Sequence, residues 1–299
     1  MTQESKARAG SDRAVAAAPL RADPTPVIIV PLDGSAHATA AVPVAKALAD
    51  LDGATLYFVH VAEPITPTRE LLGMVGLTSE QLHGSVMEQA AGAPAASIVR
   101  LARESQGALI VMCSHTALAR PRGDIGTVAE EVLREAPGPV VLVPPRRGPL
   151  PWTLRRIVVP HDGTPTTVAA MEPAADLARR SGAALEILHI AAPAATRSNA
   201  PGTLTVPRYV DQPQHEWPQW AREFLGRAQG LRHHPPSVRP RLFMRVGEPG
   251  VEIVRFASER ESDLIVLAWR GDLEPGRATT LKDVVRDAPC PVIVYRVDA

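Results

Sequence analysis

Short apolar, β-branched runs alternate along this chain with stretches whose apolar residues recur every three or four positions. Residues 27–30 (Val-Ile-Ile-Val) form the first run and end at Pro31, which reads as a buried strand. Asp33-Gly34-Ser35 follows as a turn, with Ser35 placed to cap the next helix. Ala41, Val44, Ala45 and Leu48 give that helix one inward stripe, and Gly53 stops it. A second strand is expected at 56–61. Ile98, Leu101 and Ala102 mark another helix, followed by a strand at 109–112, a loop, a helix at 127–135 and a last strand at 140–143. The more polar segment 86–90, which carries Glu88 and Gln89, is expected as a third strand at a sheet edge. Alternating helices and continuously apolar strands predict a parallel α/β sheet covered on both faces.

The pattern then starts again. Val30-Pro31-Leu32-Asp33-Gly34-Ser35 returns as Val159-Pro160-His161-Asp162-Gly163-Thr164, and the strand ending His60-Val61 returns as the one ending His189-Ile190, both at an offset of 129. Leu109-Ile110-Val111-Met112 returns as Leu264-Ile265-Val266-Leu267 at 155, and Ala136-Pro137-Gly138-Pro139-Val140 as Ala288-Pro289-Cys290-Pro291-Val292 at 152. A long period with a drifting offset means two folded copies with loop insertions. The second copy predicts strands at 242–246, 264–267 and 292–295 and helices at 253–259 and 279–287. Its insertion reads as a Pro-rich loop over 191–213 and a helix over 216–229 with Trp220, Phe224 and Leu225 inward. The expected organisation is a disordered tail (1–25), a first domain (26–145), a linker (146–154) and a second domain (155–299).

Composition narrows the function. The 299 residues carry zero formal net charge, which argues against a dedicated nucleic-acid or membrane-surface binder, since both need a positive field. No apolar stretch approaches a membrane span, and the first 25 residues lack the apolar run of a signal peptide. Cys113 and Cys290, the only cysteines, fall at different places in the two copies, so the chain fits a reducing cytoplasm without a structural disulfide.

In open parallel sheets, ligands bind beyond the carboxyl ends of the strands. There the first copy brings together the turn at Asp33, the strand end at Val61 and the loop from Met112 and Cys113 to Gly126-Thr127, which opens a helix. A helix N-terminus offers free N–H groups and partial positive charge, and phosphate is its natural ligand.

These segments resemble the universal stress protein family in its tandem two-domain form. The resemblance is carried by Pro31-x-Asp33-Gly34-Ser35, His60-Val61, Gly126-Thr127-Val128 leading into Val132-Leu133-Arg134, and Ala136-Pro137-Gly138-Pro139-Val140; the second copy matches these except at Gly126, where it has Ala278. It implies an adenine-nucleotide α-hydrolase-like fold with two doubly wound five-stranded parallel sheets in strand order 3-2-1-4-5. It also implies pairing of the exposed fifth strands, here within one chain about a pseudo-twofold, or in a homo-oligomer.

Some members bind ATP with magnesium through a G-x2-G-x9-G-[ST] loop. The first copy keeps the spacing, with Cys113 and Thr116 at the first two glycine positions and Gly126-Thr127 at the third. The second copy has Ala268, Gly271 and Ala278 there, on a shorter loop. By the resemblance, Asp33 and the Val61 backbone contact adenosine, and Gly126, Thr127 and Val128 hold phosphates. Pro31, Met112, Cys113 and Thr116 complete the candidate site.

The expected function is a cytoplasmic stress-response regulator that binds ATP in its first domain without efficient turnover. Other readings stay open: an interaction scaffold for a protein partner, with degenerate sites, or a thiol sensor through a low-pKa Cys113. Asp33 and Asp162 can equally serve their turns alone, His60 and His189 can be hydrogen-bonded structure, and Arg120 and Arg122 can reach phosphates or stay solvated. No nucleophile–base pair or carboxylate pair is evident from the sequence, so no enzyme is expected.

Overall fold

Two five-stranded halves merge into one ten-stranded sheet, ordered β3-β2-β1-β4-β5-β10-β9-β6-β7-β8. The computed structural model describes residues 25–64, 66–78, 80, 82–106, 108–115, 125–145, 150–162, 164–191, 238–271, 273 and 278–297. In the first copy, β1 (Val27–Pro31), β2 (Thr55–Val61), β3 (Val86–Ala90), β4 (Leu109–Cys113) and β5 (Val140–Val143) alternate with α1 (Ala41–Asp52), α2 (Thr68–Val75), α3 (Pro94–Glu104) and α4 (Thr127–Glu135). The second copy holds β6 (Arg156–Pro160), α5 (Pro165–Val168), α6 (Met171–Ser181), β7 (Ala184–Ala191), β8 (Arg241–Val246), α7 (Pro249–Glu259), β9 (Leu264–Trp269), α8 (Thr279–Asp287) and β10 (Val292–Arg296). Each half has the expected 3-2-1-4-5 order, parallel throughout. The expected loop and helix at 191–213 and 216–229 lie almost wholly outside the described residues, as do Arg120 and Arg122.

The strands are apolar on both faces because both faces are covered. Ile28, Val30 and Phe58 point into one core with α1, α2 and α6; Ile29, Val59 and Ile110 point into the other with α3, α4, α7 and α8. Each core runs through both copies without a break. Phe58 and Phe256 are fully enclosed, each contributing roughly 2–3 kcal/mol relative to exposure. Gly53 ends α1 in the left-handed region (φ 62°) and returns its N–H to the Ala49 carbonyl. Gly182 occupies the same place after α6.

Helix α2 is not anticipated by the sequence pattern. Leu71 and Val75 bury one side of it, but the segment is short and broken by Gly73. Helix α7 starts four residues before the expected 253, because Pro249 takes its first turn, where a missing N–H costs nothing. Among the described residues no helix is long and apolar enough to cross a membrane, and both cysteines are buried, neither of them in a disulfide.

The copies join through β5 and β10, which pair antiparallel: Val140 with Val294, Val141 with Ile293, Leu142 with Val292. At the 152-residue offset Val140 corresponds to Val292, Val141 to Ile293 and Leu142 to Val294. The correspondence therefore exchanges the outer pairs and leaves Val141–Ile293 on the pseudo-twofold, the self-complementary geometry of a homodimer interface. Around this ladder Arg180 of α6 forms an ion pair with Asp52 of α1, and Arg296 Nη1 donates to the Arg134 carbonyl at 2.6 Å. Proline at Val141 or Val292 fits a shared central ladder poorly. Each substitution removes a ladder hydrogen bond. It is expected to cost about 1–3 kcal/mol for the buried acceptor left unpaired, and to separate unfolding of the halves, read by urea titration with limited proteolysis. A single transition at the original midpoint would refute the joint.

Candidate functional site

At the carboxyl end of the sheet, where β1 and β4 diverge, the first copy holds a cleft of about 270 Å³. Of the sequence-derived set, Pro31, Asp33, Val61, Met112, Cys113, Gly126, Thr127 and Val128 all line it; Thr116 lies outside the described residues. Leu32, Ala38, Val59, Pro94, Ile98, Ser114, His115 and Ala129 complete the wall. Ala38, Pro94, Ile98 and Ala129 were missed because the short turn at Ala38–Ala40 and helices α3 and α4 supply them from the side; Leu32, Val59, Ser114 and His115 flank the strand-end residues already named.

Three hydrogen-bonded joints set this geometry. The Leu32 N–H donates to the Val59 carbonyl at 2.8 Å, and His60 Nδ1 meets the Leu32 carbonyl at 2.7 Å, so the turn after β1 is fastened to β2. His189 Nδ1 meets the His161 carbonyl at 2.9 Å in the second copy. Both histidines are thus hydrogen-bonded braces. Beyond β4, the Ser114 N–H donates to the Val143 carbonyl and the Gly126 N–H to the Ser114 carbonyl, both at 2.9 Å. A Cβ on Gly126 would lie 3.2 Å from the His115 Cα and the Ser114 oxygen. Glycine is needed here for close backbone approach, and its φ of −59° is ordinary.

Gly126 is also the N-cap of α4, so no side chain caps the helix, and its first N–H groups are left to another acceptor. Asp33 is exposed at the mouth, its Oδ1 accepting the Ser35 N–H at 2.9 Å. His115 lines the cleft, with Nδ1 3.1 Å from Ser114 Oγ, and burial together with nearby His37 lowers its pKa. The thiol-sensor reading needs a low-pKa Cys113, and the structure opposes it: burial, with the Asp33 carboxylate acting in the same sense, pushes the group up to about 11, which keeps it protonated; the thiol donates to the His115 carbonyl at 3.1 Å. Among the described residues no cluster of three or more His, Cys, Asp or Glu side chains is arranged to hold a metal.

The second copy has a larger cleft of about 550 Å³ in the same place. Asp162 Oδ1 accepts the Thr164 N–H (2.9 Å), the Thr164 hydroxyl (2.7 Å) and the Thr167 hydroxyl (2.8 Å). These bonds hold its carboxyl below the usual range against the pull of burial. Ala278, at the third glycine position, is the N-cap of α8 in the left-handed conformation, φ 51°.

A doubled, doubly wound α/β sheet with a cleft at each switch point, one of them ending on a glycine-capped helix, defines a tandem α/β protein. Residues 69–144 and 153–296 match the universal stress protein family, and the chain belongs to that family. A universal stress protein of Mycobacterium tuberculosis (strain H37Rv) is 26% identical over 227 residues, covering 74% of this chain and 66% of its own length. One from Thermus aquaticus is 33% identical over 132 residues, 39% of this chain and 96% of its own. Among solved structures, a universal stress protein of Archaeoglobus fulgidus superposes with a TM-score of 0.59 at 16% identity, over 90% of this chain and 98% of that one. A putative one from Pseudomonas aeruginosa reaches 0.64 at 17%, over 91% and 93%. At these identities the structures establish the fold.

His161 distinguishes the copies, since Leu32 stands at the equivalent position. Burial pushes its imidazole down to about 4. Above pH 6.5 the group is neutral folded or unfolded, and its full contribution to stability is present. Between 6.5 and 4 only the unfolded chain takes the proton, so stability falls with pH by an amount on the order of 3 kcal/mol. His189, also lowered, adds in the same sense, whereas Asp162 acts only below its ordinary 3.8. His161→Leu is expected to flatten the decline in urea-unfolding free energy between pH 7 and pH 5. Parallel slopes for variant and parent would contradict it.

Proposed function

We propose that the first cleft holds an adenine nucleotide, with magnesium carried on its phosphates, and that the chain is a cytoplasmic, nucleotide-responsive stress regulator without efficient turnover. The observation that carries this reading is the convergence in one cleft of an exposed carboxylate, an apolar slot and an uncapped helix N-terminus. Val61, Pro31, Ile98 and Met112 supply apolar surface for the flat base. Asp33 retains acceptor capacity beyond its single turn bond and can receive a ribose or base donor. The Thr127 and Val128 N–H groups at the start of α4 suit phosphate oxygens. The close approach of the Gly126 backbone to His115 leaves that helix end open, where any side chain would crowd it. At about 270 Å³ the cleft suits the nucleoside part, with the phosphates over the helix end.

Cys113 at the first glycine position favours the other reading, an interaction scaffold, because its side chain takes up cleft wall. Calorimetric titration of ATP with magnesium separates the two. Saturable binding near one per chain is expected, weakened at least tenfold (about 1.4 kcal/mol) in Asp33→Ala, with Asp33→Asn as a control that keeps the turn. Absence of binding at millimolar ATP assigns the chain to the scaffold reading; equal affinity in the variants overturns the placement of the nucleotide at Asp33.

A further inference from the structure

We propose that β8 and the end of α7, at the outer edge of the second copy, form a docking surface for an extended acidic segment of a partner protein. None of its residues lines either cleft, and it owes nothing to nucleotide binding.

Four arginines meet at this corner. Arg241, Phe243 and Arg245 alternate along β8 onto the face that α7 covers. The Arg241 and Arg260 guanidiniums both lie over the Phe243 ring, 5.4 and 5.2 Å from its centre, and Arg245 lies over Phe256 at 5.8 Å. The two rings stand 5.1 Å apart. Arg156, at the start of β6, donates to the Arg260 carbonyl. Beneath them the Glu186 side chain is 1% exposed and accepts Arg260 Nη2 at 2.6 Å and Nε at 3.3 Å. Aromatic faces and one buried carboxylate thus fix the guanidiniums in position.

The fold does not require this array. The first copy builds the same strands and helix with Val27, Val86, Ala90 and Ser105 at the four arginine positions and Tyr57 in place of Glu186. Nor are the cations consumed by local acids. Among the described residues no carboxylate pairs with Arg241. Arg245 pairs with Glu259 at 2.5 Å and Arg156 with Glu261 at 3.7 Å, and these acids are 47% and 87% exposed. Exposed pairs of this kind exchange at little cost.

Charge and spacing name the occupant. A guanidinium fork takes a carboxylate through two N–H donors. Arg241 and Arg245 stand four residues apart on a strand, about 13 Å, so an extended segment with acidic side chains on alternate residues matches both. Another basic edge would be repelled. A nucleic-acid strand is disfavoured, because Glu259 and Glu261 stand among the cations and the chain, with zero net charge, has no broad positive field.

The test is fluorescence anisotropy of a labelled ten-residue peptide of alternating Glu and Ala, titrated with the full chain. Saturable binding near one per chain is expected, weakened by added salt. Arg241→Gln and Arg245→Gln are each expected to weaken it roughly fivefold, the size of one exposed ion pair. Arg100→Gln, at an exposed arginine of the first copy, is expected to bind like the parent. Arg241 is exposed, so an unchanged urea midpoint verifies folding of that variant. No saturation at millimolar peptide overturns the proposal, as does equal affinity in parent, Arg241→Gln and Arg245→Gln, or an equal loss in Arg100→Gln. A ten-residue oligothymidylate that binds more tightly, and is weakened by the same substitutions, assigns the surface to nucleic acid. Self-association of the parent that Arg241→Gln abolishes assigns it to a second copy of this chain. Either result overturns the acidic partner.

Discussion

The antiparallel ladder between β5 and β10 is the constraint on which the rest of the molecule depends. In a sheet of order 3-2-1-4-5 the fifth strand is an edge, and Val140–Val143 is apolar on both faces and fully buried. Left open, it would expose a row of unpaired backbone donors and acceptors on hydrophobic flanks. Pairing it with β10 satisfies the backbone and lets both cores run across the joint. The two remaining edges, β3 and β8, are the polar ones. Glu88 and Gln89 lie in β3 and Arg241 and Arg245 in β8, which is how exposed edges discourage further pairing.

Clefts of this kind follow from topology more than from any single side chain. Because β1 and β4 are neighbours whose connections leave in opposite directions, a crevice opens at their carboxyl ends in both copies. The histidine brace after β1 and the cap of the following helix then determine what that crevice presents. In the first copy an open glycine cap and a lightly committed carboxylate leave polar capacity for a ligand. In the second, Asp162 is occupied by its own turn, Ala278 is held in a left-handed backbone, and Arg270 lines the cleft where the first copy has His115.

Much of this was legible in the sequence because the governing patterns are local. Continuous apolar runs marked the buried strands, and Gly53 marked a helix end. Even the polar β3 was placed correctly, because Glu88 and Gln89 suit an edge strand. Less visible were features that depend on distant partners. Helix α2 is stabilised by Leu71 and Val75 meeting the core, which its broken local pattern does not announce. The sequence left a reactive Cys113 thiol open; its burial, which only the fold reveals, decides against it. Nothing in the spacing of residues 241 and 260 shows that their guanidiniums share the Phe243 ring.

The pseudo-twofold through Val141 and Ile293 also makes this chain a dimer that cannot come apart on dilution. Two separate subunits would share one sequence, and every change at one site would be imposed on the other. Here a covalent linker keeps the partners at a high effective concentration whatever the amount of protein, and the two sites are coded independently. A substitution that fits one cleft for a new ligand leaves its twin unaltered. The differences between Gly126 and Ala278, or between His115 and Arg270, are the kind that an obligate homodimer has no means of recording.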